Sequence, residues 1–191
     1  MRQRKHIKKS RQSHESLLAD QYEPLPMYNG CGWGTFGMFN VDGSYNVKQH
    51  VAQYFAAQML THEWAEPVDL MHWIYPAASN IADSEGHVLV TVYAIQRPDG
   101  KWSLLLVNKD QQNAQQVSVA FHDASRHNSH YFNEEVTQVS FGADDYVWHA
   151  AGANGFADPD GPAERSIQSG GQGAIYTLPK ASITVLRGDL E

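Results

Sequence analysis

Trp102-Ser-Leu-Leu-Leu-Val-Asn-Lys-Asp110 and, far downstream, Tyr176-Thr-Leu-Pro-Lys-Ala-Ser-Ile-Thr-Val-Leu-Arg-Gly188 decide the fold. Each is a short apolar run bounded by turn-forming residues, the pattern of strands that frame an antiparallel sandwich. Upstream of Trp102, Arg97-Pro98-Asp99-Gly100 reads as a hairpin turn, because proline presets φ and glycine takes the left-handed position. Before that turn, His87-Val-Leu-Val-Thr-Val-Tyr-Ala-Ile95 sets Val88, Val90 and Val92 opposite Leu89, Thr91 and Tyr93. Both faces are largely apolar, so a central strand is expected, with 102–107 returning antiparallel to it.

Downstream, Gln115 to Phe121 alternates Val117, Val119 and Phe121 inward with Gln116 and Ser118 outward, as in a half-solvated strand. Shorter strands are expected at 136–141 and 146–149. Residues 150–173 are rich in glycine, proline and aspartate and read as a long loop. A closing hairpin is expected from 173–178 and 182–187 about Pro179-Lys180, with Ile183 and Val185 facing away from Thr184 and Leu186.

On the N-terminal side, Val47, Val51, Tyr54, Phe55 and Met59 follow helical spacing, which predicts one amphipathic helix over 45–62 with Asp42-Gly43-Ser44 as turn and cap. Pro67 ends it. Trp33-Gly-Thr-Phe-Gly-Met-Phe39 reads as a buried strand whose glycines allow close backbone approach. Residues 1–20 lack periodicity and read as a disordered basic lead. The expected fold class is therefore mainly β: an antiparallel β-sandwich over 67–191, preceded by one strand and one amphipathic α-helix over 21–66.

Six of the 14 basic residues fall in the first 14 positions, leaving eight against 21 acidic groups in the body. An acidic body argues against a nucleic-acid groove, which needs concentrated positive charge. The single cysteine, Cys31, excludes an internal disulfide and a cysteine-built zinc site, and it reads as structural. No apolar run approaches the roughly 18 residues of a membrane span, and the first residues lack the apolar stretch of an export signal. As written, the chain reads as cytoplasmic, without a membrane partner.

With these segments placed, the chain from about Tyr22 to Gly188 resembles the C-terminal portion of clan-A glycoside hydrolases, especially β-xylosidase-like and α-L-arabinofuranosidase-like enzymes. Trp33 to Phe39 looks like the last strand of their catalytic barrel and Val47 to Trp64 like its last helix. The Leu-Leu-Val-Asn-Lys and Leu-Pro-Lys-Ala-Ser-Ile-Thr-Val segments are similar to their sandwich strands. The resemblance implies an accessory sandwich, scaffolding or carbohydrate-binding, whose partners are a carbohydrate or a catalytic barrel domain. It also implies a family that is often exported. A barrel takes about 250 residues, and residues 21–66 hold only its last strand and helix. Two carboxyl groups roughly 5 Å apart, on separate barrel strands, perform retaining glycoside hydrolysis. Neither strand is recognisable, so no acidic residue inherits a catalytic role and no glycosidase site is complete. By the same resemblance Trp33, at the mouth of that strand, is a sugar-stacking candidate, with Phe36 beside it; a core tryptophan between strand and helix is the competing reading. An orphan helix also exposes its apolar face, so either a homodimer through Trp33 to Trp64 or packing of the helix onto the sandwich is expected.

Chemistry independent of that resemblance rests on His122, Asp123, His127 and His130, the densest cluster among ten histidines. If three of these side chains converge, they could hold a divalent metal and activate water, giving a free-standing hydrolase of small esters or lactones. Their spacing matches no familiar ligand pattern, and surface loop histidines are the favoured explanation, with the metal site as the alternative. Asp144-Asp145 and Asp158-Pro-Asp160-Gly161 supply oxygen ligands for calcium, but turn formation accounts for both. No nucleophile elbow and no phosphate-binding glycine loop occurs, so no cofactor is expected apart from such a metal. A solvated row of Trp73, Trp102 and Trp148 is the feature that distinguishes sugar binding from scaffolding.

Overall fold

The computed structural model describes residues 6–7, 38–41, 44, 46–151 and 155–191. The expected strand before Phe39, the turn at Asp42-Gly43, Cys31, Trp33, Phe36 and most of the basic lead lie outside them. The first elements are β1 (His6–Ile7), β2 (Phe39–Val41), β3 (Val47–His50) and α1 (Ala52–Gln58), and a π-helical turn, Met59–Trp64, continues α1. Then follow β4 (His72–Tyr75), β5 (Val90–Gln96), β6 (Trp102–Asn108), β7 (Gln115–Val117), β8 (Phe121–Asp123), β9 (Asn128–His130) and β10 (Glu135–Gly142). The last are β11 (Tyr146–His149), β12 (Phe156–Asp160), β13 (Glu164–Ser169), β14 (Tyr176–Leu178) and β15 (Ser182–Gly188).

One seven-stranded sheet runs in the order β1-β4-β5-β6-β15-β10-β13, antiparallel throughout. The fold class is thus mainly β with antiparallel sheets, consistent with a sandwich. The expected hairpin is present: Gly100 has φ +85°, and Val90 to Gln96 pair with Asn108 to Trp102. The central strands are covered on both sides. Leu104, Leu106, Val136 and Leu186 face an inner cluster with Val117, Phe132, Tyr176 and Leu178 from the opposing strands and loops. Leu105, Val139, Phe141 and Val185 face outward, against Phe55 and Met59 of the helix. Each large apolar side chain so buried is worth roughly 1.5–3 kcal/mol, so a strand apolar on both faces gains from both layers.

The helix is shorter than its periodicity predicts. Val47 to His50, expected as helical, pair with β2 instead, and α1 starts behind Val51 with no side-chain cap. Gln49 explains the change: its Nε2 donates to Ala157 O at 2.9 Å and its Oε1 accepts from Ala157 N at 3.1 Å. This amide pairing ties β3 to β12, and a long-range bond of that kind outweighs a weak local helical preference. The apolar spacing still reads correctly from Val51 through Phe55 to Met59, all buried. At the far end Ala65 N donates to Leu60 O, the i→i+5 bond that widens the last turn, while the Thr61 hydroxyl takes the Ala57 carbonyl.

Three other expectations change. The closing pair is not a hairpin: β14 pairs with β7, whereas β15 enters the main sheet between β6 and β10. Pro179 to Ala181 form an arch between them, held by Asn108, whose Nδ2 donates to Pro179 O at 2.8 Å and to Asn113 O at 3.1 Å. Residues 150–173 are not one loop, because β12 pairs with β11 and β13 pairs with β10 along six residues. β13, Glu-Arg-Ser-Ile-Gln-Ser, is an exposed edge strand held by its backbone ladder, and such strands need no apolar period. The segment 115–121 is split, with β7 pairing with β14 and β8 with β9, although Val117, Val119 and Phe121 all pack on the inner cluster.

Candidate functional site

Three arginines from different parts of the main sheet converge on the end of the π-helical turn. Arg97, just past β5, donates through Nη1 to Glu63 O at 3.1 Å, and Arg187 of β15 donates to the same carbonyl at 2.9 Å. The Glu63 carboxylate meets Arg165 of β13 at 2.6 Å and Arg187 at 3.5 Å. Arg97 is buried and also pairs with Asp99 at 3.1 Å, and Asp99 N donates to Glu66 Oε2 at 3.1 Å. The last carbonyls of a helix lack intrahelical donors and favour cations nearby, so the guanidinium groups satisfy both needs. Burial first, then the neighbouring Arg97 charge, pulls Arg187 below the ordinary arginine value, while Glu63 opposes that pull. Both carboxylate oxygens are already engaged by guanidinium groups, which makes the arrangement a fastening of helix to sheet. The signal in the sequence is two arginines set directly against apolar strand runs, Ala94-Ile-Gln-Arg97 and Thr184-Val-Leu-Arg187.

The side chains of His122, Asp123, His127 and His130, the alternative metal site, do not converge. His122 lies opposite Ser129 in the β8–β9 ladder and shares a hydrogen bond with its hydroxyl at 2.9 Å, whereas Asp123 and His130 belong to the other face of that hairpin. Asp123 accepts from Ser125 N and Oγ, and these bonds hold its carboxyl below the ordinary carboxylate value. His130 Nδ1 lies 3.0 Å from Glu191 O, and His127 occupies the tight turn with φ 54°. Among the described residues no three His, Cys, Asp or Glu side chains come together to hold a metal ion, at this hairpin or at the aspartate clusters. Asp144 pairs with Lys180 at 3.0 Å, and Asp145 accepts from Gly142 N, with burial raising its carboxyl. Asp160 accepts from Gln49.

The three tryptophans do not form one row. Trp148 stands on the β11–β12 hairpin, 48% exposed and packed against Gly155, where a Cβ would lie 2.5 Å from its ring. Trp73 and Trp102 share the inner face of the main sheet, both opposite Gln96. Tyr75, two residues beyond Trp73 on the same face, reaches across Ala94 to Trp102 with ring centres 4.6 Å apart, and its hydroxyl donates to Gln96 Oε1 at 3.3 Å. Behind Trp102 an aromatic series continues through Phe121 and Phe132 to Tyr176. Tyr75 and Gln96 were not singled out by the sequence, although His72-Trp-Ile-Tyr75 carries aromatics two apart, the spacing of one strand face.

Two depressions stand elsewhere. One, about 330 Å³, lies at the β10–β13 edge, lined by Gln138, Ser140, Glu164 to Ser166 and Pro179. The other, about 590 Å³, runs beside α1 between Ala52, Ala56, Phe141, Tyr146 and Ile183. Neither is lined by paired carboxyl groups. Among the described residues, no helix is long and apolar enough to cross a membrane.

No protein-family model matches the sequence, and no curated protein matches it. Among solved structures the chain is similar to an arabinofuranosidase at 11% identity and a TM-score of 0.49, over 82% of this chain and 32% of that one. It is similar to the GH51 arabinofuranosidase of Xanthomonas axonopodis pv. citri at 17% identity and a TM-score of 0.47, over 82% and 29%. For the catalytic domain of GH30 xylanase C from Talaromyces cellulolyticus the values are 16%, 0.42, 80% and 27%. The chain spans no more than about a third of the length of these structures.

Proposed function

We propose that this chain is the accessory β-sandwich portion of a glycoside-hydrolase-like protein, corresponding to its C-terminal part, and that it scaffolds a catalytic barrel domain without itself completing a glycosidase site. The observation that carries this reading is the fastening at Glu63. A helix end bound by guanidinium groups from three parts of one sheet is fixed in direction as well as position. Whatever precedes α1 is thereby held at a set angle to the sandwich, which is the task of a mounting.

Hydrogen exchange tests the mounting directly. Amides of α1 and the π-helical turn are expected to be protected to the same degree as those of β6 and β15; a helix exchanging like a free segment overturns the scaffolding role. Assays on aryl arabinofuranosides, aryl xylosides and small esters are expected to show no hydrolysis by this chain. Turnover that falls on His122→Ala and His130→Ala exchange would overturn the non-catalytic reading in favour of the histidine hydrolase.

A further inference from the structure

We propose that the inner face of β4 to β6 carries a carbohydrate-binding platform formed by Trp73, Tyr75 and Gln96 and backed by Trp102, for a neutral β-1,4-linked pyranose chain. The choice of ligand class rests on the accessory-module reading; the site itself rests on the arrangement of these side chains.

Strand register puts Trp73, Gln96 and Trp102 side by side on neighbouring strands, and Tyr75, packed on Trp102, lies along the same row. Ala94 is the reason Tyr75 can lie across this row: a larger residue opposite it would block the approach to Trp102. Tyr75 is 37% exposed, at the solvent end of an aromatic series whose other members run into the core. Its ring is therefore held from behind and open in front. A supported aromatic ring stacks on the C–H face of a sugar without the entropy loss of ordering a mobile side chain.

Gln96 supplies the polar part. Its Oε1 accepts from the Tyr75 hydroxyl, which fixes the amide and turns its Nε2 donor away from that bond, toward a sugar hydroxyl. Trp73, Tyr75, Gln96 and Trp102 carry no charge, in a chain of formal net charge −7. An uncharged aromatic and amide surface suits a neutral polyhydroxylated chain and gives an anionic polysaccharide no partner. A flat ribbon also matches a sheet face, where neighbouring strands set the ring spacing.

Titration calorimetry and tryptophan fluorescence with xylohexaose and cellohexaose test the proposal, with polygalacturonate as the charged comparison. Binding of at least one neutral hexaose is expected, with a change in tryptophan emission. Tyr75→Ala is expected to weaken it about tenfold and Tyr75→Phe, which keeps the ring and loses the bond to Gln96, about threefold. Tyr93→Ala, at an exposed ring on the opposite face of β5, is expected to leave affinity unchanged. Thermal melting of each variant separates lost binding from lost fold. Failure of the wild-type chain to bind either hexaose, stronger binding of polygalacturonate, or a folded Tyr75→Ala variant with unchanged affinity overturns the platform. Each of those results leaves helix protection untouched, so the platform and the mounting fail separately.

Discussion

The two faces of the main sheet are covered by different means. On the inner face, Leu104, Leu106, Val136 and Leu186 pack against β7, β14 and Phe132, and the contact is apolar apart from a few internal hydrogen bonds. On the outer face a single short helix does the covering, and its apolar contact through Phe55 and Met59 is supplemented by three arginines at Glu63. Apolar burial fixes a layer without fixing its direction, whereas guanidinium–carbonyl bonds are directional. A broad layer holds its place by area; a helix of two turns needs a second constraint.

The sharpest way to break this comparison is to remove packing from each face in turn. Leu186→Ala on the inner face is expected to cost about 2–5 kcal/mol and to lower protection in both layers, since Leu186 is fully buried in the central strand. Met59→Ala is expected to cost a similar amount but to release α1 before β6 or β15. Denaturant melts combined with hydrogen exchange distinguish the two, and identical exchange patterns would mean that the faces are not energetically distinct.

Glu63→Ala sharpens it further. The variant keeps the carbonyl and loses the carboxylate, so about 1–3 kcal/mol is expected, and the loss is expected to be concentrated in α1. Arg165 is half exposed, so Arg165→Ala is expected to cost under about 1 kcal/mol. If Arg165→Ala proves as costly as Glu63→Ala, the fastening lies at the exposed ion pair and not at the helix end.

The smallest effect is expected far from both faces. Asp110 accepts from the backbone of Gln112 and Asn113 and from the Asn113 and Gln115 side chains, which holds its carboxyl below the ordinary value of 3.8. A depressed folded value means that its stabilising contribution is present above 3.8 and is lost as pH falls through the lower folded midpoint. A carboxyl titration followed by NMR should therefore place Asp110 below a model aspartate, and an ordinary midpoint would show that the turn does not bind its charge.

The sequence made the sandwich legible wherever one strand's pattern was enough. Val90 to Gln96 and Trp102 to Asn108 declared themselves by being apolar on both faces, and Pro98 and Gly100 fixed their turn. It failed where pairing depends on a distant partner. β13 has the composition of a loop and becomes a strand because β10 offers it a free edge, and Gln49 draws Val47 to His50 out of a helical pattern by bonding to Ala157, more than a hundred positions away. The site candidates divide in the same way. Aromatics two apart on β4 were readable, whereas convergence of Arg97 and Arg187 on the Glu63 carbonyl and of Arg165 on its carboxylate needs the topology. The His122 group shows the converse, because closeness in sequence placed its members on both faces of one hairpin.

β15 is the final strand of the described fold, yet it lies between β6 and β10. As the chain emerges in synthesis, the edges it will join must wait with their backbone groups unpaired until residue 188 is available. Loss of the 182–188 segment therefore removes the middle of the sheet and not its margin, and the emergence of that segment is the moment at which the two halves first meet.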